Sequence, residues 1–538
     1  MSLSRRTFIA SAAGVVVGAA AVGTVAGGLA TASAAKAAAS GPGDVVGKIT
    51  VGYQGWFACI GDHAPIDAWW HWSNNESQAP SPSNNSIKAW PDMSIYSAGY
   101  ETAYANLGDG AQATLFSSYD QSTVNVHFQL MQQNGCDTAA LQRFDPNGSE
   151  GPTRNAITAK VNTAAQAYGR KFYIMYDASG WTNMQTEMPA DWTANMAQYT
   201  SSSAYAHQNG KPVVGIWGFG FNDTNHPWSA AACLEVVQWF QSQGCYVMGG
   251  VPTYWRTGTS DSRAGYTSVY DAFNMISPWM VGRIGSTADS DSFYTNVNVP
   301  DQAYCNANNI DYQPCVLPGD LSANQRAHGT FMWEQFYNMT RAGAQGIYIS
   351  MFDEYGEGNQ ILNTAATQAQ VPANSGLLAL NEDGTAVSSD FYLRLTSDGG
   401  RMLKGQIALT DVCPTPYQPS STAPSGCGSL GGNASLGVNQ SLLSCDGRFN
   451  LILGGDGNLV LYEGSTPLWA SNTAGQAGAK AIMQGDGNFV IYTAGGSPVW
   501  ASNTSGNSGA SLAVQNDGNV VIYSSGGAAL WSTGTAGH

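Results

Sequence analysis

Apolar residues in this chain gather into short β-type runs separated by helix-length stretches. Strand-type runs fall at 49–57, 138–144, 172–176, 213–221, 246–254, 275–281, 312–317 and 346–352. Helical periodicity at 124–134, 154–168, 191–208, 230–243 and 326–343 lies between them. Several strand runs follow a glycine stop of the kind that ends a helix: Asn134-Gly135, Tyr168-Gly169, Asn209-Gly210 and Gln243-Gly244. Eight β-then-α units predict a (β/α)8, TIM-type parallel barrel over residues 48–410. A doubly wound open sheet is the alternative, but no GxGxxG turn follows the first strand.

The flanks follow different rules. Ser4-Arg5-Arg6-Thr7-Phe8-Ile9 precedes an apolar, Gly/Ala-rich run and the Ala32-Ser33-Ala34 cleavage pattern. Residues 1–39 therefore predict a twin-arginine signal peptide, and with it a secreted protein free of the membrane after cleavage. Residues 411–433 hold Pro414, Pro416, Pro419 and Pro424 among Ser, Thr and Gly, the composition of an extended linker. From 434 to 538 a repeat takes over. Asp-Gly-Asn recurs at 456, 486 and 517, and tryptophan at 469, 500 and 531. Each repeat is too small to bury a core alone, so the three should share one, with the tryptophans near a common axis.

Composition narrows the chemistry. The 538 residues carry 21 Lys+Arg against 37 Asp+Glu, a formal net charge of −16, with no basic tract for a nucleic-acid backbone. Aromatic residues match charged ones at 11% each, and the chain holds 16 Trp, a balance suited to neutral polar partners, carbohydrate first. Nine cysteines fit an oxidising destination, and Cys305/Cys315 and Cys413/Cys427 are close enough in sequence to bridge. No CxxC pair or HExxH run predicts a metal, and no motif predicts a cofactor.

In the second repeat Gln484, Asp486, Asn488, Val490 and Tyr492 are each two apart, which on a strand places all five on one face. Gln515, Asp517, Asn519, Val521 and Tyr523 repeat the set; the first repeat keeps Asp456, Asn458, Val460 and Tyr462 but has Gly454 in place of the glutamine. These residues could instead serve only as tight turns. The pattern closely resembles the bulb-type mannose-binding lectin domain. That resemblance implies an all-β β-prism with metal-free mannose sites, two of them complete.

At the last barrel strand, Ile347-Tyr348-Ile349-Ser350-Met351-Phe352 runs into Asp353-Glu354-Tyr355-Gly356-Glu357-Gly358, so three carboxylates emerge where catalytic groups of such barrels sit. Paired carboxylates, one protonated and one ionised, are what glycosidic cleavage needs. Glycines on both sides of Glu357 would let backbone approach a ligand closely. Gly52-Tyr53-Gln54-Gly55-Trp56-Phe57, Trp70-His71-Trp72, Trp90-Pro91-Asp92-Met93, Leu141-Gln142-Arg143-Phe144 and the acidic run together resemble the glycoside hydrolase family 99-like group, related to family 71. The resemblance implies a retaining endo-α-mannosidase. Glu354 would be the base that takes the 2-OH proton, and Glu357 the acid and then the base for water. Asp353 stands where that family has Asn, and the related family implies α-glucan instead.

Further candidates for substrate binding are Tyr53, Trp56, His71, Trp72, Gln142, Asp177 and Trp255, with Arg143 read as holding a carboxylate in place. For the aromatics, core packing is an equal alternative. A carbohydrate-binding protein whose barrel lacks catalysis is the other class of function left open.

Overall fold

The computed structural model describes residues 40–417 and 428–538, apart from 439, 445–447, 465, 477–478 and 525–527. The signal peptide expected at 1–39, linker residues 418–427, and Cys427 and Cys445 lie outside the described residues. The chain divides into two compact units between Tyr417 and Gln418.

The first unit is built on parallel strands β1 (Ile49–Tyr53), β2 (Thr138–Arg143), β3 (Lys171–Asp177), β4 (Lys211–Trp217), β5 (Tyr246–Val251), β6 (Met275–Pro278), β7 (Asp311–Tyr312), β8 (Cys315–Val316) and β9 (Ile347–Ile349). Each falls on one of the apolar runs read from the sequence. Every residue of β1, β2 and β5 is buried, as a parallel strand covered on both faces requires. Pairing runs in chain order from β1 to β7. Gln313 and Pro314 then interrupt the seventh run, because Pro314 has no N–H for the ladder. Beyond that break β8 pairs with β9, and β9 returns to β1 with Ile347 opposite Ile49.

Helices α1 (Gln121–Gln133), α2 (Gly151–Ala167), α3 (Met184–Asp191), α4 (Ala230–Ser242), α5 (Val299–Asn308), α6 (Thr330–Ala342) and α7 (Phe391–Leu403) accompany the sheet. The helix expected at 191–208 is displaced toward the N-terminus. Pro189 removes a ladder N–H inside α3, and past Asp191 the backbone loosens into a wide turn and then a tight one, ending at Ser201. His207–Gln208 then pairs antiparallel with β4. The expected linker is also shorter than 411–433. The Pro416 carbonyl accepts from Arg394 at 2.9 Å, and Thr415 donates to Asp398 at 2.8 Å, so residues to 417 belong to the first unit. Ser429–Leu430 is already a strand of the second.

The Cys305–Cys315 bridge is not formed. Cys305 sits on α5 among Asp301, Asp311 and Asp271, while the Cys315 thiol faces Ser350 and the Met280 N–H. The seven described cysteines are free thiols, six of them buried.

In the second unit three four-stranded antiparallel sheets each take three consecutive strands of one repeat plus one of the unit's first three short strands, Ser429–Leu430, Ser435–Gly437 and Ser441–Leu443. Leu436, Leu451, Leu461, Phe489, Ile491, Leu512 and Ile522 fill the core between them. Trp469, Trp500 and Trp531 meet edge to face at 5.5–5.7 Å, as the shared-core argument expects.

Deep in the first unit, Arg143 at the end of β2 grips Asp191 through two nitrogens at 2.5 and 2.6 Å, and both side chains are 2% exposed. Tyr176 and Asn195 donate to the same carboxylate at 2.8 Å. Asp191→Ala leaves the guanidinium buried without its counter-charge, a change that costs about 3–5 kcal/mol. Urea unfolding of the variant should show a loss of that size. A loss under about 1 kcal/mol, the range of an exposed pair, would mean that water reaches Arg143.

Candidate functional site

The acidic turn after β9 is folded back against the end of β1. Asp353 is fully buried, and its two oxygens accept from the backbone N–H groups of Gln54 and Gly55, each at 2.8 Å. Glu354 is 4% exposed. Its Oε1 accepts from the N–H groups of Gly356 (2.9 Å) and Glu357 (3.2 Å), and its Oε2 from Gln54 Nε2 at 3.3 Å. Glu357 is half-buried, hydrogen-bonded to the Asn359 side chain, with Lys88 and Asp320 nearby. Lys88 is itself paired with Asp320 at 2.6 Å.

The glycines of this turn make room for protein atoms. A Cβ on Gly356 would lie 2.9 Å from Glu354 Oε1, and one on Gly358 would lie 3.1 Å from Asp320 Oδ1 at a φ of +73°. The space expected for a ligand backbone contact is thus filled by the turn's own partners. Leu321 donates to the Gly358 carbonyl, and Arg326 donates to the carbonyls of Gly358 and Gln360, which fixes the loop from behind.

Burial raises all three carboxyl groups of the turn. Burial lifts Asp353 to about 7 despite its two N–H donors. Glu354 is pushed well above the ordinary carboxylate range, by burial first and then by the charges of Glu357 and Asp353. Burial also raises Glu357, against the pull of Lys88. The group therefore holds protons at a pH where exposed acids have none.

The other sequence candidates separate into two groups. Trp56 is half-buried, stacked on His71 at 3.8 Å and on Phe144 at 5.8 Å, and forms an aromatic shelf just beyond Gln54 and Gly55. Gln142 ends β2 beside Tyr348 and Met351, and Asp177 ends β3, where it accepts from the Ser179 N–H at 2.8 Å. The rest lie behind the surface. Tyr53 is fully buried with its hydroxyl bonded to His127 at 2.9 Å. Trp72 is fully buried and donates to the Phe116 carbonyl. Trp255 donates to Asp301 at 2.8 Å, and Arg143 is spent on Asp191. These four are packing residues, so contact with a substrate is closed to them. Sequence reasoning missed Gln54, Lys88, Asp320 and Asn359 as site residues. Gln54 stood inside a quoted motif and Asn359 directly follows one, while Lys88 and Asp320 come from loops that only the fold brings together.

In the second unit the same-face expectation for five alternating residues gives way to a hairpin. Gln484 to Asn488 turn the chain between Lys480–Met483 and Phe489–Tyr492, with Gly487 at a φ of +89°. Gln484 still reaches Tyr492, donating to its hydroxyl at 2.8 Å, and Gln515 does the same to Tyr523 at 2.9 Å. Gly454 offers Tyr462 no such donor. Asp456, Asp486 and Asp517 each accept from the N–H two residues on, at 2.9–3.0 Å. Asn458, Asn488 and Asn519 accept through their carbonyl oxygens from the N–H of Thr473, Thr504 and Thr535, each just past the third strand of the same repeat, at 3.1–3.2 Å. Val490 and Val521 are buried beneath.

No protein-family model matches the chain. Among curated proteins, the B-type lectin plumieribetin of Scorpaena plumieri is 40% identical over 67 residues, 12% of this chain and 58% of its own length. The chain spans about half the length of the curated relatives it matches. Among solved structures, a GH99 endo-α-mannosidase from Bacteroides thetaiotaomicron aligns over 67% of this chain and 98% of its own, at 13% identity and a TM-score of 0.48. A monomeric mannose-binding lectin from Gastrodia elata aligns over 20% of this chain and 97% of its own, at 40% identity and a TM-score of 0.19. Both halves of the resemblance read from the sequence, to family 99 hydrolases and to bulb-type lectins, are thus met among known proteins.

Because Asp353 binds its proton more tightly in the folded protein, its contribution is complete below pH 4 and is lost as pH rises toward about 7. Asp353→Asn removes that share. Melting temperature plotted from pH 4 to 7 should therefore fall less steeply in the variant than in the parent. Equal slopes would mean that Asp353 is ionised throughout the range.

Proposed function

We propose that this protein is a glycoside hydrolase acting on an α-linked, mannan-like polysaccharide, held to its substrate by a mannose-binding module. The reading takes the ring of strand pairings as a closed (β/α)8 barrel and the three-sheet unit as a β-prism. The observation that carries it is the convergence of Asp353, Glu354 and Glu357 at the end of β9 against Gln54 from β1. Gln54 Oε1 and Asn359 Oδ1 are buried beside these acids without a donor, which suits acceptors kept for sugar hydroxyls. The Trp56–His71 shelf offers an apolar face for a sugar ring.

In this reading Glu354 removes the proton of the sugar 2-OH, so that this oxygen attacks the anomeric carbon and an anhydrosugar forms with retention overall. Glu357, on the more open side of the turn, protonates the leaving oxygen and then takes a proton from the water that opens the anhydrosugar. Asp177 and Gln142 at neighbouring strand ends position the sugar. Export by the twin-arginine route would bring the folded protein to extracellular polymer.

In the second unit the carbonyl of each Asn is already used, so its Nδ2 is the donor turned to a sugar, beside the Asp carboxylate and the Tyr hydroxyl. Gln484 and Gln515 complete two sites around Val490 and Val521. The names of the curated matches, mannose-specific lectins among them, support this choice of sugar. Tethering raises local substrate concentration without altering the chemistry.

Two experiments follow. Glu357→Gln should lower α-mannan cleavage by at least about a hundredfold, the scale of a lost general acid, while retention on mannose-agarose is unchanged. Parental turnover in that variant would remove Glu357 from the acid role, and no sugar released by the parent from α-mannan or α-glucan would favour the non-catalytic reading. Asn488→Ala combined with Asn519→Ala should abolish retention on mannose-agarose, whereas Asn458→Ala alone should leave most of it. Full retention in the double variant would place sugar binding elsewhere.

A further inference from the structure

At the same edge of the sheet, beyond the ends of β3 and β4, three residues outside the glycosidase chemistry form a hydrogen-bonded line. Ser179 Oγ lies 3.0 Å from His226 Nε2, and His226 Nδ1 lies 2.7 Å from Asp223 Oδ1. Asp223 also accepts from the N–H groups of Asn225 (2.9 Å) and His226 (3.1 Å). A carboxylate at Nδ1 selects the tautomer with its proton there, leaving Nε2 as the acceptor for the serine hydroxyl. Burial alone would raise Asp223, but the His226 ring and the two N–H donors bring it below the ordinary range, so it stays ionised.

The line is held on both sides. Gly180 donates to the Asn225 carbonyl at 2.9 Å and ties the Ser179 turn to the histidine loop. Arg263 donates to the Asp223 carbonyl at 2.6 Å, and its own N–H bonds the Gly220 carbonyl. His226 is 3% exposed while Ser179 is half-buried, so the base is shielded and the serine is the more open of the two. Phe221, Trp217 and Trp228 surround the imidazole at centroid distances of 5.1, 5.5 and 5.8 Å. The indole N–H groups of Trp217 and Trp228 are buried without an acceptor. A nucleophile within reach of a base that is itself oriented by a third group is the recognisable form of an acyl-transfer site.

We propose that Ser179, His226 and Asp223 form a second active site that hydrolyses small O-acyl esters, acetyl above all, carried on sugar hydroxyls. Ser179 Oγ bonds the acyl carbon while its proton passes to His226 Nε2. The carbonyl re-forms as the sugar oxygen leaves with that proton. Water then attacks the acyl-serine and gives a proton to Nε2. The bond from Ser179 Oγ to the acyl carbon breaks, the proton returns to Oγ, and the carboxylic acid departs. That the alcohol half is a sugar rests on the carbohydrate reading above; the nucleophile assignment does not.

The test uses the full-length protein. A fluorophosphonate probe should form one adduct, mapped by peptide mass spectrometry to Ser179, and the unlabelled protein should hydrolyse p-nitrophenyl acetate. Ser179→Ala should bring that hydrolysis to the buffer rate, and His226→Gln should lower it by about 10²–10⁴-fold, the range of a lost general base. Labelling of the unaltered protein needs no variant to fold, so absence of an adduct at Ser179 overturns the proposal. Hydrolysis at the parental rate in Ser179→Ala overturns it equally. Acetate release from O-acetylated mannan is read separately from new reducing ends, so the ester and glycosidic readings fail independently. Ester hydrolysis without acetate release would overturn the sugar ester as substrate.

Discussion

Much of the first unit's chemistry depends on one carboxylate that never meets solvent. Asp353 receives the N–H groups of Gln54 and Gly55, and so fastens the turn after the last strand to the end of the first. An amide in its place offers one acceptor atom for two donors, and its NH2 would face an N–H. With Asp353 holding both donors, Gln54 is placed to bond Glu354, and the backbone from Phe352 to Asn359 closes on itself. The cost is electrostatic: burial lifts the proton affinity of all three acids, and the charge of Asp353 lifts Glu354 further.

The second unit depends on a different economy of contacts. No repeat encloses its own core, so the tryptophans meet at the centre and the leucines of neighbouring sheets complete one another. Each repeat is then tied within itself, the Asn carbonyl oxygen of its hairpin taking the Thr N–H three residues past its third strand. This explains why Asp-Gly-Asn serves turn and surface together. Gly487 bends the chain with a positive φ, Asp486 caps the bend, and Asn488 spends its oxygen inward while its Nδ2 stays outward. The turn reading and the sugar reading of the repeats are therefore compatible.

The strands were legible because parallel strands buried on both faces are unbroken apolar runs, ended by glycines that also end helices. Periodicity could not place the helix before Ser201, where Pro189 and the Asp191 carboxylate override a local pattern. Side-chain direction was the weaker half of the reading. Trp72 and Trp255 stand in motifs that look like sugar platforms, yet each turns its N–H to a partner inside the core. Cys305 and Cys315 are ten residues apart in sequence but belong to a helix and to a strand that faces Ser350. Lys88 and Asp320 carried no motif, since their meeting depends on loops far apart in the chain.

The assignment of base and acid turns on where the shared proton of the glutamate pair sits. In the free protein Glu354 is the more enclosed of the two and is pressed upward by both neighbours, whereas Glu357 is drawn down by Lys88. The proposed roles require the reverse while sugar is bound. Glu354 already accepts three hydrogen bonds, and a 2-OH aimed at it would add a fourth donor that favours its charged form. Glu357 is half-buried, so a glycan covering it would remove the remaining water from its charge and raise its proton affinity further. In the proposed reading, substrate would act on the pair in opposite senses, favouring the proton on the outer glutamate over the inner one. An enzyme of this design would carry its acid in the correct state only when the bond to be broken is in place.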